Sequence, residues 1–275
     1  MDFWLEGPRE MGVSPNVIST VGVNVFSPEA ALDMAFDSLR ARRSFVLFTL
    51  NLDHIAKLRR DAEFRRCYET ADLVSADGWP VVWLYRRNGF EIERTTGADM
   101  VAPMCVRAAD EGLAVYFVGP MPDVQAKALG ILRGRRPDLE IAGAEAPIIS
   151  PLDSDQVGDV ASRIRGSGAR LCFIALGAPK QELIAGALRS LCPGVGFVCV
   201  GAALDFIAGA SRRAPQWIQK AGLEWAWRLL SDPRNLFARY VECAYVFALL
   251  ATRRQYLNAE PSCGAGTSPG RQPRR

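Results

Sequence analysis

The sequence predicts an α/β fold, a Rossmann-like, doubly wound and mostly parallel sheet that carries a helical appendage at its C-terminal end. Three observations carry this. Short apolar runs alternate with helix-like stretches along the first two hundred residues. Several runs are continuously apolar, as expected of strands buried on both faces. After residue 203 the alternation stops, and aromatic and basic helical sequence takes over.

In chain order the strand candidates are STVGVNVF (19–26), SFVLFTLN (44–51), DLVSAD (72–77), LAVYFVG (113–119), LEIAGAEA (139–146), RLCFIALG (170–177) and GFVCVGAA (196–203). Helices have readable starts between them. Ser27-Pro28-Glu29 offers a capping hydroxyl with proline in the first turn. Pro122-Asp123 opens VQAKALGILRG, and Asp153-Ser154-Asp155 opens QVGDVASRIRG. Residues 1–211 are expected to form the α/β body and 212–258 a basic, apolar, helical appendage broken near Asp232-Pro233. Residues 259–275 have the composition of a disordered tail.

Charge separates body from appendage. The net charge is only +3, but residues 212–275 hold 11 Lys/Arg against 4 Asp/Glu, leaving 22 against 26 in residues 1–211. Within the appendage, YVECAYVFALLAT (240–252) is apolar apart from Glu242 and Thr252, and too short for the roughly 20 residues of a membrane span. Arg234, Arg239, Arg253 and Arg254 flank it. Two readings fit: an amphipathic element on an anionic membrane surface, or a helix packed on a neighbour or in a homo-oligomer. Nothing in the sequence points to nucleic acid.

The seven cysteines form no C-x-x-C pair, and the one histidine, His54, is remote from them in sequence. Reduced thiols in a cytoplasm are expected, with no disulfide framework or zinc site. Residues 1–16 contain acids and no apolar core, so no signal peptide is expected. GSG (166–168) and VGP (118–120) are not dinucleotide fingerprints, which disfavours a dehydrogenase. DSD (153–155) has the D-x-D form of a metal motif, but it opens a helix and reads better as a cap. No metal and no cofactor are expected.

Three strand ends carry candidate chemistry. In SADGWP, Asp77 ends an apolar run before a glycine; a partly desolvated carboxylate there suits a general base, and an ordinary Asp-Gly turn fits the same letters. In TLN, Thr49 and Asn51 share one face of a strand end, as ligand contacts or as the cap of the next helix. In LGAPKQE, Pro179 suits a first helical turn, Lys180 suits a phosphate and Gln181 suits a sugar or uracil edge; a plain helix start is the alternative. A doubly wound sheet would gather all three at one edge.

Together TLNLDHI, ADLVSADGWPVV, ERTTGADMV, YFVG, LGAPKQE, VGAALDFIAG and RRAPQWIQKAGLEWAWRLLSDPR resemble the WecG/TagA/CpsF glycosyltransferases (glycosyltransferase family 26), in family order over about residues 20–240. The resemblance implies inverting, metal-independent transfer from a UDP-sugar to a polyprenyl-diphosphate-linked sugar, by a peripheral protein at the cytoplasmic face of the plasma membrane. It implies Asp77 as general base, with Thr49, Asn51, Arg94, Gln181 and Asp205 as substrate-binding residues. Arg213 and Arg228 match appendage arginines that reach the diphosphate. Gly201-Ala202-Ala203 and Asp232-Pro233-Arg234-Asn235 depart from the family pattern, bearing on sugar choice and appendage packing. A non-catalytic nucleotide-binding, membrane-associated protein of the same fold is the alternative.

Overall fold

The computed structural model describes residues 22–252 apart from 152 and 221. The predicted disordered tail, Arg253, Arg254 and the segment before residue 22 lie outside the described residues. Six parallel strands form one sheet in the order β2-β1-β6-β5-β3-β4. They are β1 (Phe45–Leu50), β2 (Leu73–Ala76), β3 (Val115–Val118), β4 (Ile141–Glu145), β5 (Leu171–Ile174) and β6 (Gly196–Cys199). β1, β2, β3, β5 and β6 are buried along their whole length, which is why their sequences read as unbroken apolar runs.

Alternate side chains of β1 feed two separate cores. Val46, Phe48 and Leu50 join one with helices α2 (Leu52–Arg60), α3 (Ala62–Glu69) and α4 (Trp79–Arg87), and with α7 (Ser154–Ser167) and α8 (Lys180–Leu191). Phe45 and Leu47 join the other with α1 (Pro28–Arg40), α5 (Gly97–Asp110), α6 (Pro122–Arg135) and α9 (Ala203–Ala208). Thus neighbouring strands β1 and β6 send their following helices, α2 and α9, to opposite faces. The crevice that this opens at their carboxyl ends is the expected ligand position in such a sheet.

The caps follow local chemistry. Ser27 accepts from the Ala30 amide at the start of α1, and Asp153 accepts from the Asp155 and Gln156 amides at the start of α7, so the DSD run is a cap. One expected strand is corrected. Residues 22–26 make only an isolated bridge, Val25 to Ser75, beside β2; residues 19–21 lie outside the described residues. The Asn24 side chain explains this, donating to the Asp72 carbonyl at 2.8 Å and accepting from the Val74 amide at 2.7 Å. The Asn24 and Val25 amides still donate to the Val74 carbonyl at 3.0 and 3.1 Å, but the Asn24 side chain takes the Val74 amide that a regular ladder would use.

The appendage packs on the body. After α10 (Gln216–Lys220) and α11 (Glu224–Ser231) the chain turns at Asp232 into α12 (Pro233–Thr252), as the Asp-Pro break predicts. Cys243 and Val246 of α12 are buried, and Phe247 meets the Trp79 and Trp83 rings at 6.3 and 5.4 Å. Gly222 lies against Trp79, where a Cβ would come within 2.9 Å of the ring. Arg87 donates to the Ala251 carbonyl at 2.7 Å, and Arg60 pairs with Glu242. Buried Asp53 ties Lys57 of its own helix, at 2.7 Å, to Arg239 of α12, at 3.0 Å. Of the two readings of 240–252, the packed helix is the one that these contacts display. No helix among the described residues is long and apolar enough to cross a membrane.

Asp53→Ala is therefore expected to loosen α12. Lys57 and Arg239 are partly exposed and can rehydrate, so the loss is about 1–2 kcal/mol, or several degrees in Tm for a chain of this size. Hydrogen exchange checks the location: α12 amides should lose protection while the β-sheet keeps it.

Candidate active site

Asp77 leaves the end of β2 with its amide bonded to the Leu50 carbonyl of β1 at 2.8 Å. Gly78 follows at φ +88°, a left-handed conformation open to glycine, and α4 starts one residue later. This is the sharp turn that the sequence predicts. Asp77 is half-buried, and its carboxyl is pushed up to about 6 chiefly by loss of water. Arg228 and Arg94 pull in the opposite direction, while Glu224 and Asp99 reinforce the rise.

The residues after α4 bring Arg94 to the same place. Thr95 donates its amide to the Ala76 carbonyl at 2.9 Å, and Ser75 Oγ donates to the Thr95 carbonyl at 2.9 Å. This stitch lays residues 94–96 across the end of β2. Thr96 then caps α5, accepting from the Asp99 amide, and its hydroxyl donates to Asp99 Oδ2 at 2.8 Å.

Two appendage arginines arrive from the other side. Arg213 makes a bidentate pair with Asp99, Nη1 to Oδ1 at 2.6 Å and Nη2 to Oδ2 at 3.0 Å. Asp99 is held below the usual carboxylate range: burial opposes this, but hydrogen bonds from Arg213 and Thr96 outweigh it. Arg94 bridges Glu224 at 3.2 Å and Asp99 at 3.3 Å, and Arg228 pairs with Glu224 at 3.5 Å. The Phe206 ring sits under two of the guanidiniums, 5.8 Å from Arg213 and 5.7 Å from Arg228. Arg94, Arg213 and Arg228, named separately from sequence, thus form one group whose charges reach Asp77.

The remaining named residues occupy the end of β1 and the helix starts that follow β5 and β6. Thr49 is 6% exposed and in register with Ser75 of β2. Asn51 caps α2, its Oδ1 accepting from the His54 amide at 2.9 Å. Asp205 lies in the first turn of α9, directly before Phe206, with its carboxyl raised by burial. Gln181 belongs to a second network. Its Oε1 accepts from the Gly201 amide at 3.1 Å and its Nε2 donates to Glu182 Oε1 at 2.7 Å. Glu182 is 0% exposed, its Oε2 has no hydrogen-bond partner, and burial pushes its carboxyl up to about 7. The amide of LGAPKQE therefore clamps the start of α8 to the loop after β6.

Asp99, Phe206 and Glu224 are the members of the site that the sequence reading left unnamed. One signal pointed to Glu224: it is one of only four acids in the basic stretch 212–275. His54, by contrast, is a core residue. It is bonded to the Tyr68 hydroxyl at 2.6 Å and burial lowers it to about 3. Among the described residues no group of three or more His, Cys, Asp or Glu is placed to hold a metal ion.

The arrangement offers a desolvated carboxylate able to take a proton and three guanidiniums able to hold a multiply charged anion, on the crevice edge of the sheet. A family model described as the Glycosyl transferase WecG/TagA/CpsF family matches residues 16–260. That match spans the sheet, the strand-end residues and the appendage alike, and the chain belongs to the WecG/TagA/CpsF glycosyltransferase family.

Proposed function

We propose that the protein moves a sugar, with inversion and without a metal, from a UDP-sugar to a polyprenyl-diphosphate-linked sugar during assembly of a bacterial envelope or exopolysaccharide glycopolymer. The observation that carries this reading is the convergence of Arg94, Arg213 and Arg228 beside Asp77. Asp77 takes the proton of an acceptor hydroxyl as that oxygen attacks the anomeric carbon. The bond from that carbon to the diphosphate oxygen breaks, and its electron pair leaves with UDP. The three guanidiniums supply the positive charge that the departing diphosphate requires. Thr49, Asn51, Gln181 and Asp205 shape the donor side of the crevice.

In this reading residues 1–211 are the catalytic body, and 212–258 the appendage that completes the site with two arginines and faces the membrane. Support for the membrane role comes from the outer surface of the appendage: Leu230 is 82% and Phe237 63% exposed, with Trp217, Trp225, Val241 and Tyr245 also exposed. Isolated apolar residues on a surface mean little, but this many on a basic element suit an anionic bilayer at the cytoplasmic face.

The test is a screen of UDP-sugars against a short-chain polyprenyl-diphosphate-sugar. UDP release that needs both substrates is the expected result. No release from any pair would favour the non-catalytic nucleotide-binding alternative.

A further inference from the structure

Three cations from three segments surround one carboxylate. Glu224, the first residue of α11, lies 3.2 Å from Arg94 Nη1, 3.5 Å from Arg228 Nη2 and 4.0 Å from Arg213 Nε. These contacts are long for charge-assisted hydrogen bonds, which close to about 2.7–2.9 Å. Asp99, the other acid of the group, contrasts with it: two Arg213 nitrogens and the Thr96 hydroxyl reach Asp99 at 2.6, 3.0 and 2.8 Å. Asp99 is a settled partner, while Glu224 fills its position poorly.

The underfilling has a second sign. Arg213 Nε is buried and has no hydrogen-bond partner, although Glu224 is its near neighbour. A buried N–H left unmade is unfavourable. Two carboxylate oxygens cannot satisfy the facing edges of three guanidiniums, whereas a diphosphate brings more acceptor oxygens and more negative charge. The position is therefore better matched to a diphosphate than to the carboxylate that occupies it.

We propose that Glu224 is an internal placeholder for the diphosphate of the donor nucleotide. Its carboxylate keeps three mutually repelling guanidiniums together in the free protein, and yields its position when the nucleotide arrives. The proposal rests on the UDP-sugar reading above and adds a competition to it. Glu224 and Arg228 share α11, so donor binding releases the acid of that helix while retaining its cation, and the appendage senses an occupied site.

Glu224→Gln keeps shape and an acceptor oxygen but removes the competing charge, so nucleotide binding tightens. A purely structural Glu224, anchoring α11, would give weaker binding when replaced.

Calorimetric titration of the full chain with UDP, inorganic pyrophosphate and uridine tests this. Glu224→Gln is expected to bind UDP and pyrophosphate on the order of tenfold more tightly than the wild type, with uridine unchanged. Glu224→Asp, which keeps the charge one methylene further back, should fall between the two. Equal affinities in all three proteins, or weaker binding by Glu224→Gln, overturn the placeholder. A wild-type protein that binds neither UDP nor pyrophosphate overturns the donor reading itself.

Discussion

Asp77→Asn is expected to lower sugar transfer by about 10²–10⁴-fold or more, the range that a positioned general base supplies, while UDP binds as before. The substitution keeps the shape of the side chain at the turn into α4 and removes only its ability to take a proton. The pH profile gives an independent check. Loss of water raises Asp77 to about 6, and the base must be ionised to act, so kcat/KM of the wild type should climb as pH rises through about 6. The asparagine variant should lack that limb. Near-normal turnover in the variant would remove Asp77 from the role of base.

The same shift has a consequence for stability. A carboxyl raised from 3.8 to about 6 in the folded protein binds its proton more tightly there than in the unfolded chain. Its favourable contribution is complete below pH about 4, declines as pH rises towards 6, and is gone above that. At pH 7.5 the ionised, half-buried carboxylate is a liability of at most about 3 kcal/mol. Asp77→Asn should therefore melt several degrees higher at pH 7.5, and the gain should vanish below pH about 4. An inactive variant with raised Tm separates lost chemistry from lost folding.

Most of the sheet was legible because fully buried strands announce themselves as apolar runs, and the capping residues Ser27 and Asp153 mark helix starts through their own side-chain chemistry. Within the expected strand, residues 22–26 misled because alternation shows burial without showing who bonds to whom; Val23 and Val25 are buried, yet Asn24 takes the Val74 amide with its side chain. In the candidate site, Asp77 was readable as a strand-end carboxylate and the three arginines only through the family resemblance. Their ordering by Asp99 and Glu224 was not, since a sequence counts charges but does not aim them. Gln181 illustrates the same limit. From sequence Gln181 suits a sugar or uracil edge or a plain helix start, and only the fold presents the Gly201 amide and the dry setting of Glu182 that turn it into a clamp.

Phe237→Glu combined with Val241→Glu is expected to reduce association with anionic liposomes by about 10²–10⁴-fold, and to leave UDP binding unchanged. The reason lies in the two apolar faces of α12. Cys243, Val246, Phe247 and Leu250 turn inward against the body, so the helix needs no membrane to bury that side. Phe237, Val241 and Tyr245 recur every four residues and are exposed, which puts them on one outward stripe. Burying each apolar side chain in a bilayer boundary is worth about 1.5–3 kcal/mol, so two of them lost correspond to roughly 3–6 kcal/mol. The new carboxylates add repulsion from anionic lipid. Both residues lie on the exposed face of α12, and a nucleotide titration reports whether the site survives. Flotation of both proteins with anionic vesicles measures the effect. Equal flotation would reassign the outward stripe to contact between copies of the chain, and a loss of self-association in the variant would then identify that interface.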